Sequence, residues 1–323
     1  MRNVFAGVVL ILLLIASFLT PITPYASQKN NTNNTQEYND NSNQELISKN
    51  PFEEITIVGK SAFVWDVVKQ KPLFEKDSDK VMPLASIAKT LSAVVSLELA
   101  PQNTEIRIEK EFLEAEGDSG LYVNERWALK DLIDFSLVVS SNDGFRAIAS
   151  VIGAITFGTD DFYFGRQKFI EKVNQKAKNI GLEKTVIHDE AGLDQNENQS
   201  GAYSTAKETA LLFEYILKNK PEILEATTKK ETSFFSLNQI NHTASNTNLI
   251  VKNVPGIIGA KTGFTDLAGG NLATVFDAGL GRPIIIVVLN STINERFVDS
   301  EKLIEASRSF IIDEKKNAKY LKI

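Results

Sequence analysis

The chain has 323 residues, 43% of them hydrophobic and 24% charged, a globular composition with material for one large domain or two small ones beyond an atypical N-terminus. A formal net charge of −6 and the lack of any Lys or Arg block argue against nucleic acid as a partner. Cysteine is absent, which removes disulfides, thiolate catalysis and cysteine metal sites but leaves the compartment open.

The compartment is read from the first residues. Arg2 precedes an apolar run, Val4 to Leu19, and the run is followed by Thr20 to Ala26. A positive start, an apolar centre and a small residue at Ala26 describe an export signal. The run sits at the short edge of the roughly 17–25 residues a membrane span needs. Pro24 is a poor cleavage context for Ala26, so residues 1–26 are read as a signal peptide or an uncleaved membrane anchor. Residues 27–50, which include Asn30-Asn31-Thr32-Asn33-Asn34-Thr35, hold too few apolar residues to bury a core and read as an Asn-rich disordered linker. Residues 51–323 are the expected folded body.

From Ile55 the pattern is strand-like. Ala62 to Val68 and Leu73 to Glu75, joined by a turn ending at Pro72, predict a β-hairpin. The hairpin delivers the chain to Pro83-Leu84-Ala85-Ser86-Ile87-Ala88-Lys89, after which Leu91, Val94, Val95, Leu97 and Leu99 predict a buried helix. Ser86 and Lys89, three apart, share a helix face, so hydroxyl and amine can meet. A serine needs a base to become a nucleophile, and a lysine held neutral can be that base. The spacing alone is common on helix surfaces. Its place at the start of a buried helix, where unpaired N–H groups favour negative charge on oxygen, adds weight.

Thr104 to Leu113 predicts a short excursion. Gly117-Asp118-Ser119-Gly120 resembles a protease serine segment, but the histidines, His188 and His242, both follow it, so a plain turn is expected. The same scarcity argues against a histidine triad or a two-histidine metal site. Ala128 to Val139 predicts a helix ending in Ser140-Ser141-Asn142-Asp143-Gly144, and Phe145 to Ile155 begins another. That polar knot is either helix capping or a cluster pointing into a cleft. Helices follow over Phe169 to Leu182 and Ser204 to Leu217, capped by Ser204 or Thr205, with His188 in a loop. Glu231 to Asn253 reads as edge strands or loops.

Lys261-Thr262-Gly263, preceded by Gly256 and Gly259, invites a phosphate-loop reading. It fails, because that motif needs glycine directly before the lysine and a helix after it. Here Ala260 intervenes, and Asn271 to Phe276 and Pro283 to Asn290 predict a strand hairpin, with Glu295 to Ile312 as a closing helix. A Lys-Thr-Gly on a strand offers a fixed positive charge and a hydroxyl to a carboxylate, and its glycine lets a ligand backbone lie close.

Ser86-x-x-Lys89, Ser140-x-Asn142 and Lys261-Thr262-Gly263, in this order, resemble the motifs of serine D-alanyl-D-alanine carboxypeptidases, the low-molecular-weight penicillin-binding proteins related to serine β-lactamases. The resemblance runs from about Ala62 to Phe310 and includes Gly192-Leu193-Asp194, Ser204-Thr205-Ala206 and Gly263 to Gly269. It implies an α+β fold, an antiparallel sheet flanked by helices with an all-helical subdomain carrying Ser140 and Asn142, and residues 51–323 as the catalytic domain. It implies Ser86 as nucleophile, Lys89 as its base, Ser140 as a proton relay and Asn142 as a holder of Lys89 and the substrate amide. Lys261 and Thr262 would bind the terminal carboxylate, with Lys261 lowering the Lys89 pKa. The N–H groups of Ser86 and Phe264 would form the oxyanion hole. Arg296 stands where an arginine often serves the carboxylate, though a surface helix residue would read the same. No cofactor and no metal are implied. The implied partners are a peptidoglycan stem peptide, β-lactams as covalent inhibitors and a membrane through the N-terminal segment, at the extracytoplasmic face of a bacterial cell.

Ser141 replaces the aspartate of lactamases, which favours the peptidase side, and Glu190 does not match a lactamase deacylation glutamate. Longer members carry a second β-rich domain and a membrane-binding tail; here the sequence ends at Ile323, so attachment is expected through Val4 to Leu19. A carboxypeptidase is the expected activity, with a D-alanyl endopeptidase, a β-lactamase and a non-catalytic wall-binding module as rivals.

Overall fold

In the computed structural model, residues 50–279 and 281–320 are described, with side chains to residue 317. The readings of residues 1–26 and of the linker up to residue 49 lie outside them. The hairpin is β1 (Ser61–Asp66) and β2 (Lys71–Lys76); residues 55–60, strand-like by composition, precede it as irregular chain. Short β3 (Met82–Pro83) leads through a 3-10 turn, Ala85–Ile87, into α1 (Ala88–Leu99). The excursion is β4 (Glu105–Arg107), paired with β5 (Arg126–Ala128).

Next come α2 (Leu129–Val139), α3 (Asn142–Phe157) and α4 (Phe162–Asn179). α3 starts three residues before the predicted Phe145, because Ser141 caps it by accepting a hydrogen bond from Gly144 N. α4 starts seven residues before the predicted Phe169, because Asp161 caps it at Phe164 N. Small strands β6 (Val186–Ile187) and β7 (Ala202–Ser204) flank a loop, and α5 (Ala206–Asn219) follows, capped by Thr205. A separate hairpin, β8 (Glu231–Phe235) and β9 (Asn241–Ser245), precedes β10 (Ile257–Thr265), β11 (Gly269–Asp277), β12 (Pro283–Ser291) and the closing helix α6 (Glu295–Tyr320).

The main sheet is antiparallel, in the order β10-β11-β12-β1-β2. Alternate residues of β12 serve two cores. Ile284, Ile286 and Val288 pack with Phe297, Leu303 and Ile304 of α6; Ile285, Val287 and Leu289 join the larger core shared with α1 to α5. A strand buried on both faces reads as a continuous apolar run, which is the Ile284 to Leu289 pattern. The α+β architecture, a helix-flanked antiparallel sheet, is as expected.

The placement of the polar knot depends on how closely α3 approaches α4. A Cβ added to Gly153 would lie 2.0 Å from Gly165 O, and one on Gly165 would lie 2.5 Å from Ala154 N. Backbone meets backbone there, so neither position has room for a side chain. Gly153→Ala is therefore expected to lower stability by about 1–3 kcal/mol through overpacking. Urea unfolding of the full chain measures this, and an unchanged midpoint would show that the helices do not meet this way.

Candidate active site

Ser86 lies in the 3-10 turn at the entry to α1, and the residue before it is strained. Ala85 has φ 50°, a left-handed backbone that an L side chain rarely adopts. Two contacts hold it there. A Cβ on Gly192 would fall 2.1 Å from Ala85 O, and one on Gly263 would fall 2.7 Å from Leu84 O and 3.2 Å from Ser86 N. The room left by Gly263 is thus used by the chain's own Leu84–Ser86 segment, where the sequence suggested room for a ligand. Asn271 Nδ2 donates to Pro83 O at 2.9 Å, tying β11 to the same segment.

Lys89 is fully buried, with its amine among three oxygens: Ser86 Oγ at 2.7 Å, Asn142 Oδ1 at 2.7 Å and Ala191 O at 2.9 Å. Asn142 Nδ2 donates to Glu116 O at 2.6 Å, which turns Oδ1 toward the lysine. Two of the three oxygens are carbonyls and can only accept. A neutral amine has two hydrogens for them and one lone pair for the Ser86 O–H. Burial lowers the Lys89 pKa to about 7, against the carboxylates of Asp189 and Glu190, which raise it. Burial, rather than crowding by Lys261, is the main cause. The repulsion falls on Lys261, pushed well down by burial, then by Lys89 and Arg296.

Ser140 ends α2 in a left-handed conformation, φ 64°, and accepts a hydrogen bond from Lys261 Nζ at 2.9 Å. Ser141 is the cap of α3, so the polar knot is both capping and cluster. On β10, Lys261 and Thr262 are buried, Lys261 Nζ also donates to Thr262 O at 2.9 Å, and Thr262 Oγ1 meets Thr247 Oγ1 at 2.6 Å. The Phe264 side chain is half exposed one residue beyond Gly263. Arg296 is buried in the first turn of α6, not a surface residue. Its Nη1 donates to Gly263 O at 2.7 Å, its Nε has no partner among the described residues, and burial holds its pKa down to about 10.

The nine residues singled out from the sequence therefore form one cluster, reached from the turn before α1, the first turn of α1, the α2–α3 junction, β10 and α6. Gly117-Asp118-Ser119-Gly120 is more than a plain turn. Gly117, Asp118 and Ser119 line a cleft with Ser140, Ser141, Asn142, Thr243 and Ser245, and Ser119 Oγ contacts Ser141 Oγ at 2.5 Å. Ala191, Glu116 and Thr247 escape sequence reasoning. The first two act through backbone carbonyls, which carry no residue signature, and Thr247 lies in a segment without a pattern.

A family profile described as D-alanyl-D-alanine carboxypeptidase matches residues 45–292. The chain is 26% identical over 259 residues to the D-alanyl-D-alanine carboxypeptidase DacF of Bacillus subtilis, covering 78% of this chain and 62% of that protein. It is 28% identical over 242 residues to the D-alanyl-D-alanine endopeptidase of Escherichia coli, covering 73% of this chain and 72% of that protein. The ampicillin-bound penicillin-binding protein D2 of Listeria monocytogenes superposes with a TM-score of 0.65 at 27% identity, over 78% of this chain and 98% of that structure. With a profile spanning most of its length, the chain belongs to the serine D-alanyl-D-alanine carboxypeptidase family.

Proposed function

We propose that the protein is an exported D-alanyl-D-alanine carboxypeptidase that trims peptidoglycan stem peptides through an acyl-serine intermediate. The observation that carries this is the Lys89 amine, poised between two carbonyl acceptors with its lone pair free for Ser86 Oγ at 2.7 Å. Ser86 Oγ attacks the carbonyl carbon between the two D-alanines and Lys89 Nζ takes its proton. The oxyanion develops against the N–H groups of Ser86 and Phe264, at the strained turn and the strand beside it. As the C–N bond breaks, the leaving D-alanine nitrogen receives a proton through Ser140, which stands on the Lys261 amine. Water then cleaves the ester and restores the Ser86 hydroxyl.

Lys261, Thr262 and Arg296 supply charge and a hydroxyl for the terminal carboxylate, and Asn142 holds the substrate amide. Lys261 and Arg296 suit an anion: among the described residues their near contacts are hydroxyl and carbonyl oxygens, and an incoming carboxylate favours the charged forms that burial disfavours. Substrate-like β-lactams should acylate Ser86, as the ampicillin complex of the Listeria relative suggests. Arg2 and the Val4–Leu19 run support export and membrane attachment, with residues 27–50 as tether and 51–323 as catalytic domain. Among the described residues no helix is long and apolar enough to cross a membrane. Cleavage of D-alanyl cross-links is the second reading, favoured by the likeness to the Escherichia coli endopeptidase.

A fluorescent penicillin should label the wild-type chain covalently and leave Ser86→Ala unlabelled. An unlabelled wild type beside a labelled control enzyme would sink the acyl-serine reading, and rapid loss of label with β-lactam hydrolysis would favour a lactamase. D-alanine release from a pentapeptide, against scission of cross-linked dimers, separates the two peptidases. Because Lys89 must be neutral to accept the proton, the acylation rate should be flat above about pH 7 and fall tenfold per unit below it. A rate insensitive to pH across that range would exclude Lys89 as the base. Arg296→Gln should raise KM for a peptide with a free C-terminal carboxylate by about tenfold or more, the loss of a charged hydrogen bond, with a smaller effect on a C-terminal amide. Equal effects on both substrates would remove Arg296 from carboxylate binding.

A further inference from the structure

Behind Lys89 lies a second charged cluster that the proposed reaction does not use. Arg166, on α4, donates from Nη2 to Asp189 Oδ2 at 2.7 Å and from Nε to Glu190 Oε2 at 2.8 Å. The two acids are adjacent in the loop between β6 and β7, and both are buried. The other Asp189 oxygen accepts from Ala191 N at 2.9 Å and Leu193 N at 3.1 Å. The Asp189 carboxylate thus fixes the peptide units before Ala191 and after Gly192, and the Asp189 backbone carbonyl accepts from Gly192 N at 3.1 Å, in the peptide unit whose oxygen, Ala191 O, receives the Lys89 amine. The Glu190 carbonyl accepts from Ser92 Oγ at 2.8 Å, one turn beyond Lys89 on α1.

The loop also touches the other parts of the site. Gly192 abuts Ala85 O, and Asp194 accepts from Thr265 Oγ1 at 3.0 Å and Leu267 N at 3.1 Å, beyond Lys261-Thr262-Gly263 on the β10–β11 turn. One short segment therefore braces the base, the strained residue before the nucleophile and the carboxylate-binding strand. Its own anchor is Arg166.

We propose that Arg166, Asp189 and Glu190 form a positioning triad for the base, the arginine holding the two carboxylates so that Ala191 O orients the Lys89 amine and their charge sets how readily it takes a proton. This rests on Ser86 and Lys89 being nucleophile and base. The groups facing Lys89 are Ser86 before α1, Asn142 on α3, Asp189, Glu190 and the Ala191 carbonyl on the loop, and Lys261 on β10; Arg166 on α4 and Arg146 on α3 stand behind the two acids, and Arg296 on α6 stands behind Lys261. The acids and burial pull the amine in opposite directions. Asp189 and Glu190 favour its charged form, while burial disfavours it. The acids keep the base strong enough to draw the serine proton. Arg166 offsets part of their charge, so that the amine is not locked as an ammonium.

The test is the second-order acylation rate of the full chain by a fluorescent penicillin, followed between about pH 5 and 9. Glu190→Gln keeps a hydrogen-bond acceptor for Arg166 and removes one negative charge, so the acid limb should move to lower pH. Arg166→Met should slow acylation by about 10–100-fold, the scale of a small misplacement of the base, and Arg166→Lys should restore part of the rate. A Glu190→Gln profile superimposed on the wild type, or wild-type rates in Arg166→Met, would overturn the proposal. If Arg166→Met does not fold, Glu190→Gln decides. A wild type that is never acylated refutes the underlying acyl-serine reading, a result distinct from both.

Discussion

A lysine amine taken fully out of water is the constraint on which this site depends. In solution Lys89 would be an ammonium and useless as a base. Burial disfavours the charge, and the lone pair so released faces Ser86. Burial alone would leave a costly unsatisfied group, so the fold supplies two carbonyl oxygens from distant segments, Asn142 on α3 and Ala191 in the loop before β7. The meeting of α1, α3 and that loop is what the helical layer achieves. The close α3–α4 contact at Gly153 and Gly165 holds together the helix that carries Asn142, which meets Lys89, and the helix that carries Arg166, which meets Asp189 and Glu190.

The sheet has a different task. β12 is buried on both faces and carries no site residue, yet it fixes β11, and β11 fixes β10 with Lys261 opposite Ala273 and Gly263 opposite Asn271. Asn271 reaches on to Pro83. The strand that carries Lys261 and the turn that carries Ser86 are therefore set by a few hydrogen bonds from the same strand pair. At the other end of the sheet Asp66 on β1 is paired with Arg282, which also reaches Glu314 on α6. This buried arginine meets two carboxylates, whereas Arg296 at the site meets a carbonyl and, among the described residues, leaves Nε unpartnered.

How far the sequence carried depended on whether the information was local. The hairpin at Ala62, the helix from Ala128 and the continuous run Ile284 to Leu289 were legible, because each pattern reports the element's own burial. Helix starts were less so. The beginnings of α3 and α4 hang on the single caps Ser141 and Asp161, and in both cases the apolar pattern begins later than the helix. Side-chain chemistry at the site was legible as three spaced motifs, since hydroxyls, amines and amides are residue types. The Ala191 and Glu116 carbonyls were not, because any residue has one. The burial of Arg296 was also hidden, since the first turn of a helix exposes nothing in its sequence about what packs over it.

The contrast between the two arginines explains why the site tolerates an arrangement that is poor for stability. A buried charge with a carboxylate partner can roughly balance its desolvation, but one without such a partner cannot. Arg282 is of the first kind. Lys89, Lys261 and Arg296 are of the second: three basic side chains crowd together, and among the described residues the acids that bear on them, Asp189 and Glu190, stand behind Lys89 and are already gripped by Arg166. Such a group is relieved either by giving up protons or by receiving an anion. Lys89 takes the first route, with its pKa lowered to about 7, which is what the proposed base needs. Lys261 and Arg296 are relieved by the second, because an incoming carboxylate favours their charged forms. Burial thus lowers the pKa of one lysine against two acids, while its neighbours, whose near contacts among the described residues are hydroxyl and carbonyl oxygens, suit an anion, the division of labour that the proposed reaction needs.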